Sequence, residues 1–148
     1  MSGHLEQVLI IDDESLDLEA MRRILESEGF RVLAGANYDD ARKLFDKHGQ
    51  HIDLLITDVS LPGRTGVELA IDLLKRKRDL KILFISGYVG AEVIRLSGLP
   101  ASDPHFLRKP FQAAELLNQV AAVLESSEPM HWLDPRIEED RPDASNGK

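Results

Sequence analysis

The chain has no cysteine, which excludes a disulfide framework, thiol catalysis and a thiolate metal site, and permits a reducing cytoplasmic setting. It also lacks any apolar run of about 18 residues, so no segment reads as a membrane span. The opening stretch MSGHLEQ lacks the basic and then hydrophobic regions of a signal peptide. Net positive charge is missing too. A formal balance of -8 disfavours broad contact with nucleic-acid phosphates. The one basic cluster, KRKRDLK from Lys75 to Lys81, is expected to cover the solvated end of a helix and the loop after it. The five histidines form no metal motif, with His48 and His51 flanking a loop and His105 beside a late strand. Gly63 and Gly66 do not make a Walker or Rossmann glycine loop, so ATP binding is not inferred.

What remains is one domain's worth of chain, 148 residues without internal repeats, in which short apolar runs alternate with amphipathic patterns. VLIIDDE, Val8 to Glu14, reads as a buried strand ending in acid. The next segment spaces Leu18, Met21, Ile24, Leu25 and Glu28 as a helix does, and Gly29 stops it. Arg31 to Ala34 reads as a second strand, and Asn37 as the cap of a helix carrying Ala41, Leu44 and Phe45 inward. Ile52 to Thr57 is the third strand. Thr65 and Glu68 form a capping-box pattern ahead of Val67, Leu69, Ala70, Leu73 and Leu74. Lys81 to Ser86 is the fourth strand, Ala91 to Leu96 a weaker helix, and His105 to Arg108 a short fifth strand. The final helix carries Ala114, Leu117, Val120, Ala121 and Leu124. This exchange predicts an α/β fold, a parallel sheet covered on both faces. After Ser126 the periodicity fades into a polar tail, with Met130, Trp132 and Leu133 able to dock on the body or a partner.

Ligands in open α/β sheets sit beyond the carboxyl ends of the strands, and those ends carry Asp12, Asp13, Asp58, Ser86 and Lys109. Several carboxylates on one rim repel one another, and a hard divalent cation such as Mg²⁺ offsets that repulsion through oxygen ligands. Asp58 closes an aliphatic strand, where a carboxylate serves as nucleophile or metal ligand, or merely bonds nearby amides. Asp13 is the first choice for direct ligation, with Asp12 acting directly or through water and Glu14 not touching the ion. Lys109 supplies an ammonium to pair with Asp58 and then with phosphoryl oxygen; Ser86 supplies a hydroxyl. The Lys109-Pro110 peptide is a candidate cis bond against a general trans preference.

Taken in order, VLIIDDE, LLITDVSLPGRTG, ILFISGY and HFLRKPF resemble the receiver domain of two-component response regulators, over roughly Gln7 to Ser126. The resemblance implies a CheY-like, doubly wound, five-stranded parallel sheet with flanking helices. It divides the chain into a leader at 1–6, a receiver at 7–126 and a tail or linker at 127–148. It implies that Asp58 is the phospho-acceptor, that Asp12, Asp13, Asp58 and the Ser60 backbone carbonyl hold Mg²⁺, and that Ser86 and Lys109 contact the phosphoryl group. Phosphohistidine is the implied donor, carried by a histidine kinase or a histidine phosphotransfer protein. Ser86 and Phe106 match the switch pair, which implies a changed surface around the helix read at Ala91 to Leu96, the last strand and the last helix. An ordinary packing role for Phe106 stays open. The receiver is expected to promote its own phosphotransfer and dephosphorylation rather than turn over a small substrate.

The sequence departs from the common family pattern in three places. Ser60 stands where a larger residue is frequent, and Arg64 to Gly66, RTG, replaces an aspartate-glycine ending. LSGLPASDPHFL carries Pro100 and Pro104 where a common AGA turn is expected. Tyr88 is placed to cover the site and limit attacking water, or simply to pack on its loop. ILFISGY and HFLRKPF are also similar to receivers attached to hybrid sensor kinases. Two other functions compete: a phosphate-independent interaction module, and a Mg²⁺-dependent phosphatase that forms an aspartyl phosphate. The phosphatase resemblance wants a second acid two residues after the nucleophile, and that position holds Ser60.

Overall fold

The computed structural model describes residues 6–87 and 105–126. Strands β1 (Gln7–Ile11), β2 (Arg31–Gly35), β3 (Leu54–Asp58), β4 (Lys81–Ser86) and β5 (Phe106–Arg108) form one parallel sheet in the order β2-β1-β3-β4-β5. The described helices are α1 (Ser15–Ser27), α2 (Tyr38–His48), α3 (Gly66–Arg76) and α4 (Ala113–Glu125), with a 3-10 turn at Gly49–His51. The predicted helix at Ala91 to Leu96, Tyr88 and the tail hydrophobes Met130, Trp132 and Leu133 lie outside the described residues.

The central strands are apolar on both sides because both sides are covered. Leu9, Ile11, Leu55, Ile82 and Phe84 pack with Phe45 of α2 and Leu69 and Leu73 of α3. Their alternates Val8, Ile10, Leu54, Ile56, Leu83 and Ile85 pack with Met21 and Leu25 of α1 and Leu116 and Val120 of α4. Each such aliphatic side chain, fully buried, contributes about 1.5–3 kcal/mol. The strand order reverses direction between β1 and β3, which opens a crevice at their carboxyl ends. Asp12 follows β1 and Asp58 ends β3. The sheet therefore brings two aspartates 46 positions apart in sequence to the same crevice.

The caps agree with the sequence reading. The Asn37 side chain accepts from Asp40 N–H, and Thr65 and Glu68 make the reciprocal pair of a capping box on α3. Gly29 ends α1 at φ 96°, where a side chain would be strained, and its turn returns Gly29 N–H to Glu26 O and Phe30 N–H to Leu25 O. The basic cluster spans the last turn of α3 and its exit, and Arg76 reaches Asp46 of α2 at 2.7 Å.

Several boundaries differ from expectation. β1 ends at Ile11, the last residue in register with β2 and β3; Asp12 N–H still bonds Gly35 O, while its side chain turns to accept from Glu14 N–H. β2 extends one residue, to Gly35. β3 begins at Leu54 instead of Ile52 because Ile52 N–H closes the 3-10 turn on Gly49 O, and the strand runs one residue further, to Asp58 itself. α1 stops at Ser27, leaving Glu28 as its C-cap, and β5 begins at Phe106. In α4 the fully buried stripe is Leu116, Val120 and Val123, while Ala114 and Ala121 face solvent. With apolar residues at nine of its thirteen positions, the helix offers more than one stripe at helical spacing, and Leu116, Val120 and Val123 occupy the buried one.

Candidate functional site

At the crevice Asp12 is completely buried, Asp58 nearly so, and Asp13 exposed. One carboxylate oxygen from each lies within 4.8 Å of the others, the one such group among the described residues. No described histidine joins it. The backbone fixes these side chains locally: Asp12 Oδ1 accepts from Glu14 N–H and Asp58 Oδ1 from Ser60 N–H, both at 2.9 Å. Glu14 thus serves the site through its main chain, its side chain lying exposed.

Lys109 enters from the loop after β5, its own N–H held by Ser86 O at 2.9 Å. Its Nζ donates to Asp12 Oδ2, Asp58 Oδ2 and Asp17 Oδ2, each at 2.9 Å. An ammonium has three donors, and all three are used. The Lys109-Pro110 peptide is cis. Burial by itself would lower the lysine's pKa, but the hydrogen bonds it donates to Asp12, Asp17 and Asp58 outweigh burial and raise it well above the usual lysine value. Its contribution to stability is therefore complete below the ordinary lysine pKa and lost only as pH rises through the folded value. Asp12 moves the other way in effect: burial raises its pKa against the lowering by Lys109 and the Glu14 N–H. Its ionised form works against folding at neutral pH, and that cost is relieved as pH falls through its folded pKa.

Ser86, at the end of β4, is buried one residue past the Ile85 that pairs with Asp58. Phe106 is half-buried and stacks on Phe84, ring centroids 5.3 Å apart. Ser60 is half-buried in the loop after β3. The structure thus brings together Asp12, Asp13, Asp58 and Lys109, with Ser86 and Ser60 alongside. Arg64, in the unusual RTG segment, lies over the Tyr38 ring at 4.0 Å and reaches Asp72 at 3.3 Å, which ties the loop after Asp58 to α2 and α3. Tyr38 also hydrogen-bonds Asp72.

Two participants escaped the sequence reading. Asp17 looks like a first-turn acid complementing the α1 dipole, and nothing in its spacing signals a contact with a lysine 92 positions away. Gly66 seats α3 directly on the acidic strand end. Its N–H bonds Val59 O at 2.8 Å, and a Cβ there would stand 2.1 Å from Asp58 O. The only sequence signal was a glycine eight residues after Asp58.

A sequence model described as the response regulator receiver domain matches residues 8–121. The chain belongs to the response regulator receiver domain family. Among curated relatives, this receiver is 32% identical to the hydrogenase transcriptional regulatory protein HoxA of Cupriavidus necator, covering 96% of the chain and 30% of the relative. It is 28% identical to the transcriptional regulatory protein CpxR of Escherichia coli, over 92% of the chain and 55% of the relative. It is 33% identical to the sensor kinase CckA of Brucella abortus, over 86% of the chain and 13% of the relative. The receiver thus spans about half or less of the length of these relatives. Among solved structures, a receiver protein from Sinorhizobium medicae aligns at a TM-score of 0.72 and 28% identity, covering 86% of the chain and all of that protein. The response regulator TrrA of Thermotoga maritima, determined in complex with Mg(2+)-BeF, aligns at 0.67 and 29% identity, covering 80% and 99%. The expected CheY-like parallel sheet with flanking helices is the observed fold. No described helix is long and apolar enough to cross a membrane.

Proposed function

We propose that this receiver takes a phosphoryl group from phosphohistidine onto Asp58 and that the modification switches a partner-binding surface. The donor is a histidine kinase or a histidine phosphotransfer protein, and residues 7–126 are the unit that does the work. The observation that carries this reading is the Lys109 ammonium, 2.9 Å from Asp58 Oδ2 in a pocket that also gathers Asp12 and Asp13.

In the transfer a lone pair of the Asp58 carboxylate forms the new O–P bond while the P–N bond to the donor imidazole breaks and the nitrogen keeps the pair. The Ser60 N–H and Lys109 Nζ fix the plane of the attacking carboxylate. Charge on the phosphoryl oxygens falls beside the same ammonium, which is set in place before the reaction and so stabilises that charge without rearranging. The buried Ser86 hydroxyl is a further donor to a phosphoryl oxygen. Drawing it inward favours an inward Phe106 and alters the adjoining surface.

The donor set suits Mg²⁺: all-oxygen and anionic, with Asp12 buried at a cost that a divalent cation would relieve. Asp12, Asp13, Asp58 and the Ser60 carbonyl would hold the ion, which when bound supplies additional positive charge to the phosphoryl oxygens. Relatives include transcriptional regulators and a sensor kinase, and the switched surface serves an output of one of those kinds.

The test is intact-protein mass spectrometry after incubation with acetyl phosphate, with Mg²⁺ or with chelator. The expected result is a gain of one phosphoryl mass that requires Mg²⁺, together with a higher unfolding temperature in Mg²⁺ alone, since a ligand that binds only the folded chain stabilises it. No mass gain from acetyl phosphate or from phosphohistidine donors would reject the reading in favour of a phosphate-independent interaction module.

A further inference from the structure

Three carboxylates share the Lys109 ammonium, and they are not equivalent. Asp12 and Asp58 belong to the oxygen cluster that suits a cation, and Asp58 is also the proposed acceptor. Once Asp58 is modified its oxygen is committed to the phosphoryl group, and a cation draws on the charge of Asp12. Asp17 lies outside that cluster, on the first turn of α1, with its side chain about half exposed (45%). It is the one anionic partner of Lys109 with no second duty in the transfer. A role as helix-dipole acid requires only a place in the first turn; it does not account for a 2.9 Å bond across to the β5 loop.

We infer that Asp17 is a positioning residue for phosphoryl transfer, anchoring the Lys109 ammonium over the crevice while its bonds to Asp12 and Asp58 are exchanged. Lysine is a compact charge on a flexible stem. With only Asp12 and Asp58 as partners, the ammonium follows whichever carboxylate keeps the greater charge; a third anchor from α1 holds it between them. The chemistry is unaltered: Asp58 oxygen bonds to phosphorus while the P–N bond to the donor imidazole breaks and the nitrogen keeps the pair; with acetyl phosphate as the test donor, the P–O bond to its acyl oxygen breaks and acetate leaves with the electron pair. Only the placing of the stabilising charge depends on Asp17.

This inference rests on the phospho-accepting reading, and the experiment separates the two. Initial rates of phosphorylation by acetyl phosphate at saturating Mg²⁺ are compared for wild type, Asp17→Ala and Asp17→Asn, each also in a Lys109→Ala background. Asp17→Ala is expected to slow modification about tenfold, less than the roughly 10²-fold that a 1 Å misplacement of a reacting group brings. Asp17→Asn should recover most of the rate, because its amide oxygen accepts the same hydrogen bond. In the Lys109→Ala background Asp17→Ala should change nothing further, the signature of a residue that acts through its partner. A second readout needs no phosphorylation: the Lys109 ammonium NMR signal, observable in wild type and Asp17→Asn, should broaden in Asp17→Ala.

An Asp17→Ala rate within twofold of wild type, or an unchanged ammonium signal, overturns the inference and leaves the function standing. So does an equal loss with and without Lys109. A wild type that takes up no phosphate overturns the function, and the inference with it.

Discussion

Gly66→Ala should destabilise the fold by about 3 kcal/mol, the upper end of what overpacking a close contact costs. The added methyl group would stand 2.1 Å from Asp58 O and 3.0 Å from Thr57 Oγ1. The first neighbour is backbone, on a strand hydrogen-bonded on both sides, so it cannot turn away as a side chain would. Relief comes only by lifting the start of α3 or by pushing back the end of β3, and the second route moves the Asp58 carboxylate. A loss of phosphorylation rate should accompany the loss of stability. Denaturant unfolding with an unchanged slope measures the first effect. Gly87→Ala is the control, since nothing lies within 4 Å of a Cβ built there. Equal stability of the Gly66→Ala and Gly87→Ala proteins would refute the packing account.

Lys109→Ala should act on two quantities at once. Phosphoryl transfer should slow by about 10²-fold, the usual loss when one prearranged charge stabiliser is removed. Stability at neutral pH should fall by roughly 2–4 kcal/mol, because truncating one member of a buried pair leaves Asp12 ionised with no cation beside it. The sign of the pH dependence is definite. Without the ammonium the folded pKa of Asp12 rises further above its unfolded value, so the folded state binds the proton more tightly. The deficit against wild type should therefore shrink as pH falls toward the ordinary carboxylate range. A deficit that grows on acidification would mean that Asp12 is not the group left uncompensated.

Much of this architecture is legible in the residues. Aliphatic runs ending in acid, hydroxyl and lysine place polar groups at strand ends, and parallel strands put those ends on one side, so the crevice follows from order alone. Asn37 and the Thr65 to Glu68 pair announce their helices because a cap is a local device, complete within four residues. What escapes the sequence is non-local or degenerate. Ile52 looks like strand but closes a 3-10 turn. Ala114 and Ala121 share a helical period with the half-buried Leu117 and Leu124, yet face solvent. Asp17 looks like any first-turn acid until the fold delivers Lys109 to it, and the need for Gly66 is visible only when α3 is laid against β3. The RTG departure is likewise explained only in three dimensions, through the Tyr38 ring and Asp72.

The central claim is that one carboxylate, that of Asp58, carries the phosphoryl group. Borohydride reduction of the acetyl phosphate-treated protein, followed by peptide mass spectrometry, tests it most directly, because an aspartyl phosphate is reduced to homoserine where a free carboxylate is untouched. Homoserine at position 58 of the wild type, and none in Asp58→Asn, is the predicted result. Homoserine at Asp12, Asp13 or Asp17, or the same phosphate mass on a folded Asp58→Asn protein, would contradict it.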